Sequence, residues 1–213
     1  MKIEKDRIER RTMKVSAPEG TEEVRAEGIE PTADKMIVEG YAVLFDQPQT
    51  YTWGKQTYTE IISRNALASA DMKRVVMRYN HNDTVFAMAR VKNGSLQLIE
   101  DETGLRVRAD LIDTQSNRDL YRMIKDGLID EMSFAFTVAP SGDVWEYSDD
   151  YQTVKRTINQ IETVYDVSAV DNGFYENTSI FARAFEGADA LKKEAEQKKL
   201  ALEKARAIAL ANA

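Results

Sequence analysis

The sequence predicts a mainly β fold of the α+β class, on three observations. Short runs of β-branched or alternating residues recur between turn-forming clusters, few internal segments have helical spacing, and the C-terminal stretch is built from Ala, Leu, Lys and Glu. With 213 residues, 43% of them hydrophobic, the chain is long enough for one sizeable core. The expected organisation is a flexible N-terminal arm over residues 1–35, a β domain over 36–185 and a helical tail over 186–213.

Residues 1–35 carry many charges, few aromatics, and Pro18, Gly20, Gly28 and Pro31, which favours an extended or mobile arm over a packed element. Met36 to Phe45 (MIVEGYAVLF) reads as a strand, ended by the turn chemistry of Asp46-Gln47-Pro48. Tyr58 to Ile62 reads as a second strand, and Ser63 to Ala70 as a short helix with Ser63 as cap. Val75 to Tyr79 (VVMRY) is apolar enough for a buried strand and runs directly into the polar cluster Asn80-His81-Asn82-Asp83. Phe86–Lys92, Ser95–Glu100 and Leu105–Leu111 read as an antiparallel meander, with Asn93-Gly94 and Glu102-Thr103-Gly104 as hairpin connections.

Between Thr114 and Gly127, Leu120, Met123 and Ile124 share one helical face, with Ser116 as a cap and Gly127 as the stop. Met132 to Ala139 alternates strictly, placing Met132, Phe134, Phe136 and Val138 on a core face and Ser133, Ala135 and Thr137 on the other. Asp143 to Tyr151 is acidic and reads as a loop or hairpin tip. Thr153–Ile161 and Thr163–Val170 resume strand patterns, and a short run from Ser179 to Arg183 follows Phe174-Tyr175. In the tail, Glu194 and Lys198 form a favourable i,i+4 pair. Its apolar stripe (Leu191, Ala195, Leu202, Ala205, Ala209) is too thin to specify a coiled coil.

Composition removes several function classes. A net charge of -7 and a pI near 5.0 oppose a phosphate-binding surface, so no nucleic-acid partner is expected. The absence of cysteine excludes disulfides, thiolate nucleophiles and Cys-containing zinc sites, and fits a reducing compartment. Met1 to Arg11 lacks the apolar core of a signal peptide, and no apolar run reaches membrane-spanning length, so neither secretion nor a membrane partner is expected. The Asn-x-Ser/Thr triplets at Asn82, Asn93 and Asn177 then read as chance matches. No cofactor and no metal are expected: one His without Cys leaves only carboxylates, and no Gly-rich loop has phosphate-cradling spacing.

The residues left with chemical potential are few. His81 is the only histidine, and by itself it is as compatible with an ordinary loop residue as with a general base. Ser133, alternating with aromatics, reads alone as a small residue on the second face of a sheet. Asp166 lies inside the apolar run VYDVSAV; buried, it would require a specific partner, and on an edge strand it would simply face water.

The order of segments carries more than any one residue. EGYAVLF (39–45), YTEIISRNAL (58–67), YNHND (79–83), LQLIEDETGLRVRADLIDT (96–114), DGLIDEMSFAF (126–136), VYDVSAV (164–170) and YENTSIFAR (175–183) together resemble the prohead, or capsid maturation, serine proteases of tailed bacteriophages. That family is related in fold to the herpesvirus assembly proteases, which implies a barrel-like closure of the antiparallel sheet. The resemblance spans about residues 36 to 183 and leaves the N-terminal arm and the tail unmatched. Two stretches depart from the family's pattern: Ala135 stands where it commonly has Gly, and Asp171-Asn172-Gly173-Phe174-Tyr175 where it commonly has Pro-Ala-Tyr.

The resemblance implies a Ser-His-acid peptidase with Ser133 as nucleophile, His81 as general base and Asp166 as the orienting acid, Glu162 and Glu131 being the nearby substitutes. It implies action on the major capsid protein and scaffold segments, and on the protease itself, inside the assembling prohead in the host cytoplasm. Backbone N–H groups would supply the oxyanion donors. The competing reading is a noncatalytic capsid-assembly or scaffold component that uses the 187–213 helix as its contact.

Overall fold

The computed structural model describes residues 8–13, 36–171, 188 and 190–203. In chain order the strands are β1 (Glu9–Met13), β2 (Met36–Leu44), β3 (Gln49–Trp53), β4 (Gln56–Ile62), β5 (Val76–Tyr79), β6 (Ala89–Arg90), β7 (Leu96–Glu100) and β8 (Gly104–Leu111). Helix α1 (Gln115–Lys125) follows, then β9 (Glu131–Val138), β10 (Asp143–Tyr147), β11 (Thr153–Ile158) and β12 (Ile161–Val170). Residues 190–203 form α2, the expected C-terminal helix. Among the described residues the chain is therefore mainly β, as expected, with two α-helices. The run expected over Ser179–Arg183 lies outside the described residues.

The strands form a five-stranded sheet ordered β1-β9-β12-β5-β6, a four-stranded sheet ordered β10-β11-β4-β3, and a three-stranded sheet ordered β2-β8-β7. Two features differ from the antiparallel, barrel-like expectation. The pairings β11 with β4 and β12 with β5 are parallel, so two sheets are mixed. Both join segments far apart in the chain, where local alternation says nothing about direction. The described pairings also close no barrel.

Other local expectations are corrected. Ser63–Ala70 is a series of turns, with Ala66, Ala68 and Ala70 N–H groups donating three residues back rather than four. Asn93-Gly94 is no hairpin: Val91–Asn93 forms a 3-10 turn ended by Gly94 at φ 78, and β6 pairs with β5 instead of β7. Asp143–Tyr147 is a strand, β10, because it pairs antiparallel with β11. Helix α1 occurs where expected and stops before Gly127 at φ 72, but its cap is Thr114, whose side chain accepts from the Asn117 N–H, rather than Ser116. Within the arm, Glu9–Met13 is a strand paired with β9, because β9 offers it an edge.

The main core draws on β2, β4, β5, β8, α1, β9, β11 and β12: Val43, Ile62, Leu67, Met77, Leu105, Val107, Leu120, Phe134, Phe136, Ile158 and Val167 are buried in one cluster. Phe134 and Phe136 stack with ring centroids 4.5 Å apart, fixing the core side of β9. Packing between β2 and β8 is closest at Gly104, where any Cβ would overlap the Val43 carbonyl oxygen. Gly104→Ala is therefore expected to cost about 1–3 kcal/mol of stability through forced backbone displacement. Denaturant unfolding would check it, and an unchanged midpoint would contradict this account.

Candidate active site

Strand β9 runs between β1 and β12, with Ser133 opposite Ser168 of β12 on one side and Thr12 of β1 on the other. Cross-strand partners and i±2 neighbours share a face of a sheet, so Ser133, Ser168 and Asp166 project together, away from Phe134 and Val167. A register shift between Val164 and Asp166 sits directly before the carboxylate. Irregularities of this kind re-aim side chains beside functional sites.

His81 comes from β5, the parallel neighbour of β12, where Tyr79 lies opposite Ala169. The chain leaves the strand through two consecutive left-handed residues, Asn80 at φ 49 and His81 at φ 53. Such conformations cost about 1–3 kcal/mol each and persist only where surroundings over-determine them. Here the Asn80 N–H donates to the Ala169 carbonyl at 3.0 Å, and its amide donates to Asp171 Oδ1 at 2.8 Å. Tyr79 donates to Asp171 Oδ2 at 2.6 Å, and the His81 N–H donates to Ser168 Oγ at 3.1 Å. Asn, which tolerates this region well, occupies the first of the two positions.

The turn aims the imidazole between the two strands. His81 Nε2 lies 2.7 Å from Ser133 Oγ, and Nδ1 lies 2.6 Å from Asp166 Oδ1. Ser168 Oγ donates to the same carboxylate oxygen at 2.9 Å, holding Asp166 against the ring. Asp166 is 8% exposed and Ser133 is 0% exposed, so the series lies in a poorly hydrated environment. The three residues singled out in the sequence are thus adjacent, and Asp166, not Glu131 or Glu162, is the carboxylate on Nδ1.

Ser133 Oγ has a second neighbour, the Arg11 carbonyl oxygen of β1, at 2.7 Å. A hydroxyl has one proton, so it can donate to the histidine or to this carbonyl, not to both. With the proton on the carbonyl side, the bond to His81 requires an N–H at Nε2.

Next to this series lies a second group of buried charges, which the sequence reading missed. Arg11, 4% exposed, donates from Nε and Nη2 to the two carboxylate oxygens of Glu60, which is 3% exposed, the Nη2 contact being 2.8 Å. Tyr58 donates to Glu60 at 2.7 Å, and Arg156 donates to Glu60 at 3.2 Å and to Glu9 at 2.6 and 3.0 Å. Burial alone would raise the Glu60 carboxyl, but the Arg11 guanidinium beside it, with Arg156 and the Tyr58 hydroxyl, holds it below its ordinary value. Burial pushes the Tyr58 hydroxyl up, and the Glu60 charge adds to this.

A trace of this group was present in the sequence: Glu60 sits between Tyr58 and Ile62 at i±2, which puts a carboxylate on the buried face of β4. Ser168 could have been found likewise, two residues after Asp166 on the same face. Among the described residues no three His, Cys, Asp or Glu side chains are grouped so as to hold a metal ion.

A hydroxyl, an imidazole and a carboxylate bonded in series can deliver an alkoxide-like oxygen to an acyl carbon at neutral pH. A family model described as caudovirus prohead serine protease matches residues 21–193. No curated protein and no solved structure matches the chain.

Proposed function

This chain belongs to the caudovirus prohead serine proteases, and we propose that it is an endopeptidase acting through Ser133, His81 and Asp166 on capsid or scaffold proteins of a tailed phage during prohead maturation. The observation that carries the reading is the pair of short contacts made by the only histidine, to Ser133 Oγ at 2.7 Å and to Asp166 at 2.6 Å.

In the working tautomer Nδ1–H donates to Asp166, leaving the Nε2 lone pair to take the Ser133 proton as Oγ attacks a peptide carbonyl. The imidazolium so formed sits against the Asp166 carboxylate, which compensates its charge, and then protonates the leaving amine. Water attacks the acyl-enzyme with His81 again as base, restoring Ser133. Ser168 is a positioning residue: it fixes the carboxylate and, through the His81 N–H, the backbone that carries the ring. The substrates and the site of action within the assembling prohead follow from the family and are part of the proposal.

Coproduction with the major capsid protein of the same phage provides the test. Wild-type chain is expected to shorten the capsid or scaffold precursor, and Ser133→Ala to leave it full length. Equal processing by both would remove Ser133 from the mechanism. No processing by either, with shells that still form, would favour the noncatalytic assembly reading.

A further inference from the structure

We infer that Glu60, Tyr58 and Phe136 form a pocket selective for arginine on the acyl side of the bond to be cut, and that the chain's own Arg11 occupies it, making Arg11–Thr12 a self-cleavage site. The inference rests on the peptidase reading above and gives that site its substrate class.

Strand β1 stands apart from the rest of the sheet in two ways. It lies outside the family-matched residues 21–193, and in the order β1-β9-β12-β5-β6 it occupies the edge position beside the strand that bears Ser133. Without it, β9 presents an unpaired edge, the kind of surface to which an extended peptide adds as a further strand. The register places Thr12 opposite Ser133 and sets the Arg11 carbonyl oxygen 2.7 Å from Oγ. A C=O bond is about 1.23 Å, so the Arg11 carbonyl carbon is within about 4 Å of the nucleophile; Oγ meets the carbonyl from its oxygen side, and attack requires that peptide to rotate so that its carbon faces Oγ.

Side-chain recognition points the same way. The Arg11 guanidinium grips Glu60 with two N–H groups and lies 5.6 Å from the centre of the Phe136 ring, while Tyr58 fixes the carboxylate at 2.7 Å. A planar fork matches a carboxylate in a way that a lysine ammonium does not. A carboxylate this buried disfavours a neutral or acidic occupant, which would leave its charge poorly compensated. Two residues earlier, Glu9 points to the same side and meets Arg156 at 2.6 and 3.0 Å, and Arg156 is itself held by Asp143 at 2.7 Å. The site therefore reads an acidic residue, any residue, then arginine.

The reaction is a hydrolysis. Ser133 Oγ bonds to the Arg11 carbonyl carbon while its proton passes to His81 Nε2. The Arg11–Thr12 C–N bond breaks and that proton goes to the Thr12 nitrogen. Water then cleaves the ester, its OH going to the Arg11 acyl carbon and its hydrogen to Ser133. Residues 1–11 leave with a new carboxylate, and the β9 edge opens. While β1 is docked Ser133 is 0% exposed, so the first turnover is on the chain itself.

The test uses the full chain. After incubation, intact mass and N-terminal sequencing are expected to show a new N-terminus at Thr12 in the wild type and none in Ser133→Ala. An aminoalkyl phosphonate bearing an arginine side chain should label Ser133 about a thousandfold faster than its alanine counterpart, and Glu60→Gln should reduce that preference to about tenfold or less. If Glu60→Gln fails to fold, the preference measured on wild type still decides. A chain that keeps residues 1–11, or that reacts equally with both phosphonates, overturns the inference. The Arg11→Glu chain, whose β1 is released from Glu60, separates the two claims. Labelling of its Ser133 by a small uncharged fluorophosphonate, with no arginine preference, leaves the peptidase reading standing alone, and no labelling there removes both.

Discussion

Replacing His81 with asparagine is expected to lower kcat/KM by about a million-fold, close to the loss seen when a triad histidine or serine is removed from a serine peptidase. Two facts drive the size of the effect. His81 is the only histidine in the chain, so no second imidazole can take over the proton transfer. Its Nε2 is also the titratable group that lies 2.7 Å from Ser133 Oγ. Asparagine is preferred over alanine because position 81 has φ 53, which asparagine tolerates better than other side chains do. A retained thermal midpoint would show that the turn survives. Turnover of a fluorogenic peptide ending in arginine before the reporter is the readout, and activity within tenfold of wild type would falsify the assignment of His81 as base.

Asp166→Asn should cost about 10⁴-fold in kcat with little change in fold. The side chain keeps its shape and can still bond to the ring, but an amide can present N–H to Nδ1. The imidazole then carries its proton on Nε2, facing Ser133, and has no lone pair there to accept the serine proton. Ser168 donates at 2.9 Å to the same Oδ1 that faces Nδ1, and a hydroxyl can turn to accept from an amide N–H at that position, so the replacement fits without disturbing the fold. The measurement is kcat on the same peptide with KM determined separately. A loss confined to KM would mean that Asp166 contributes to binding instead, and the orienting role would be abandoned.

Much of the scaffold around these residues was legible in the chain. Met132 to Ala139 alternates, and β9 (Glu131–Val138) is a strand with Phe134 and Phe136 turned into the core and Ser133 on the other side. Helix α1 followed from Leu120, Met123 and Ile124 at helical spacing, and its end from Gly127, because both are consequences of local backbone geometry. The failures share a cause. Ser63–Ala70 had helical spacing and became turns, and Glu9–Met13 looked like a mobile arm and became a strand, because each outcome depended on what another part of the chain offered. Composition cannot reveal that β9 has a vacant edge.

The sequence by itself determined that this protein is mainly β, that it has no thiol chemistry, and that any histidine chemistry must pass through His81. It also carried, through the order of its motifs, the family to which the chain belongs. Only the tertiary structure decided that Asp166 rather than Glu131 or Glu162 meets His81, and that Arg11 reaches both Glu60 and the serine. The reason is physical. Alternation and helical period are set by neighbours along the chain, whereas a parallel pairing such as β5 with β12 joins Tyr79 to Ala169 across a long stretch of sequence. Buried charges find their partners across the same distances, and only the packed chain brings them together.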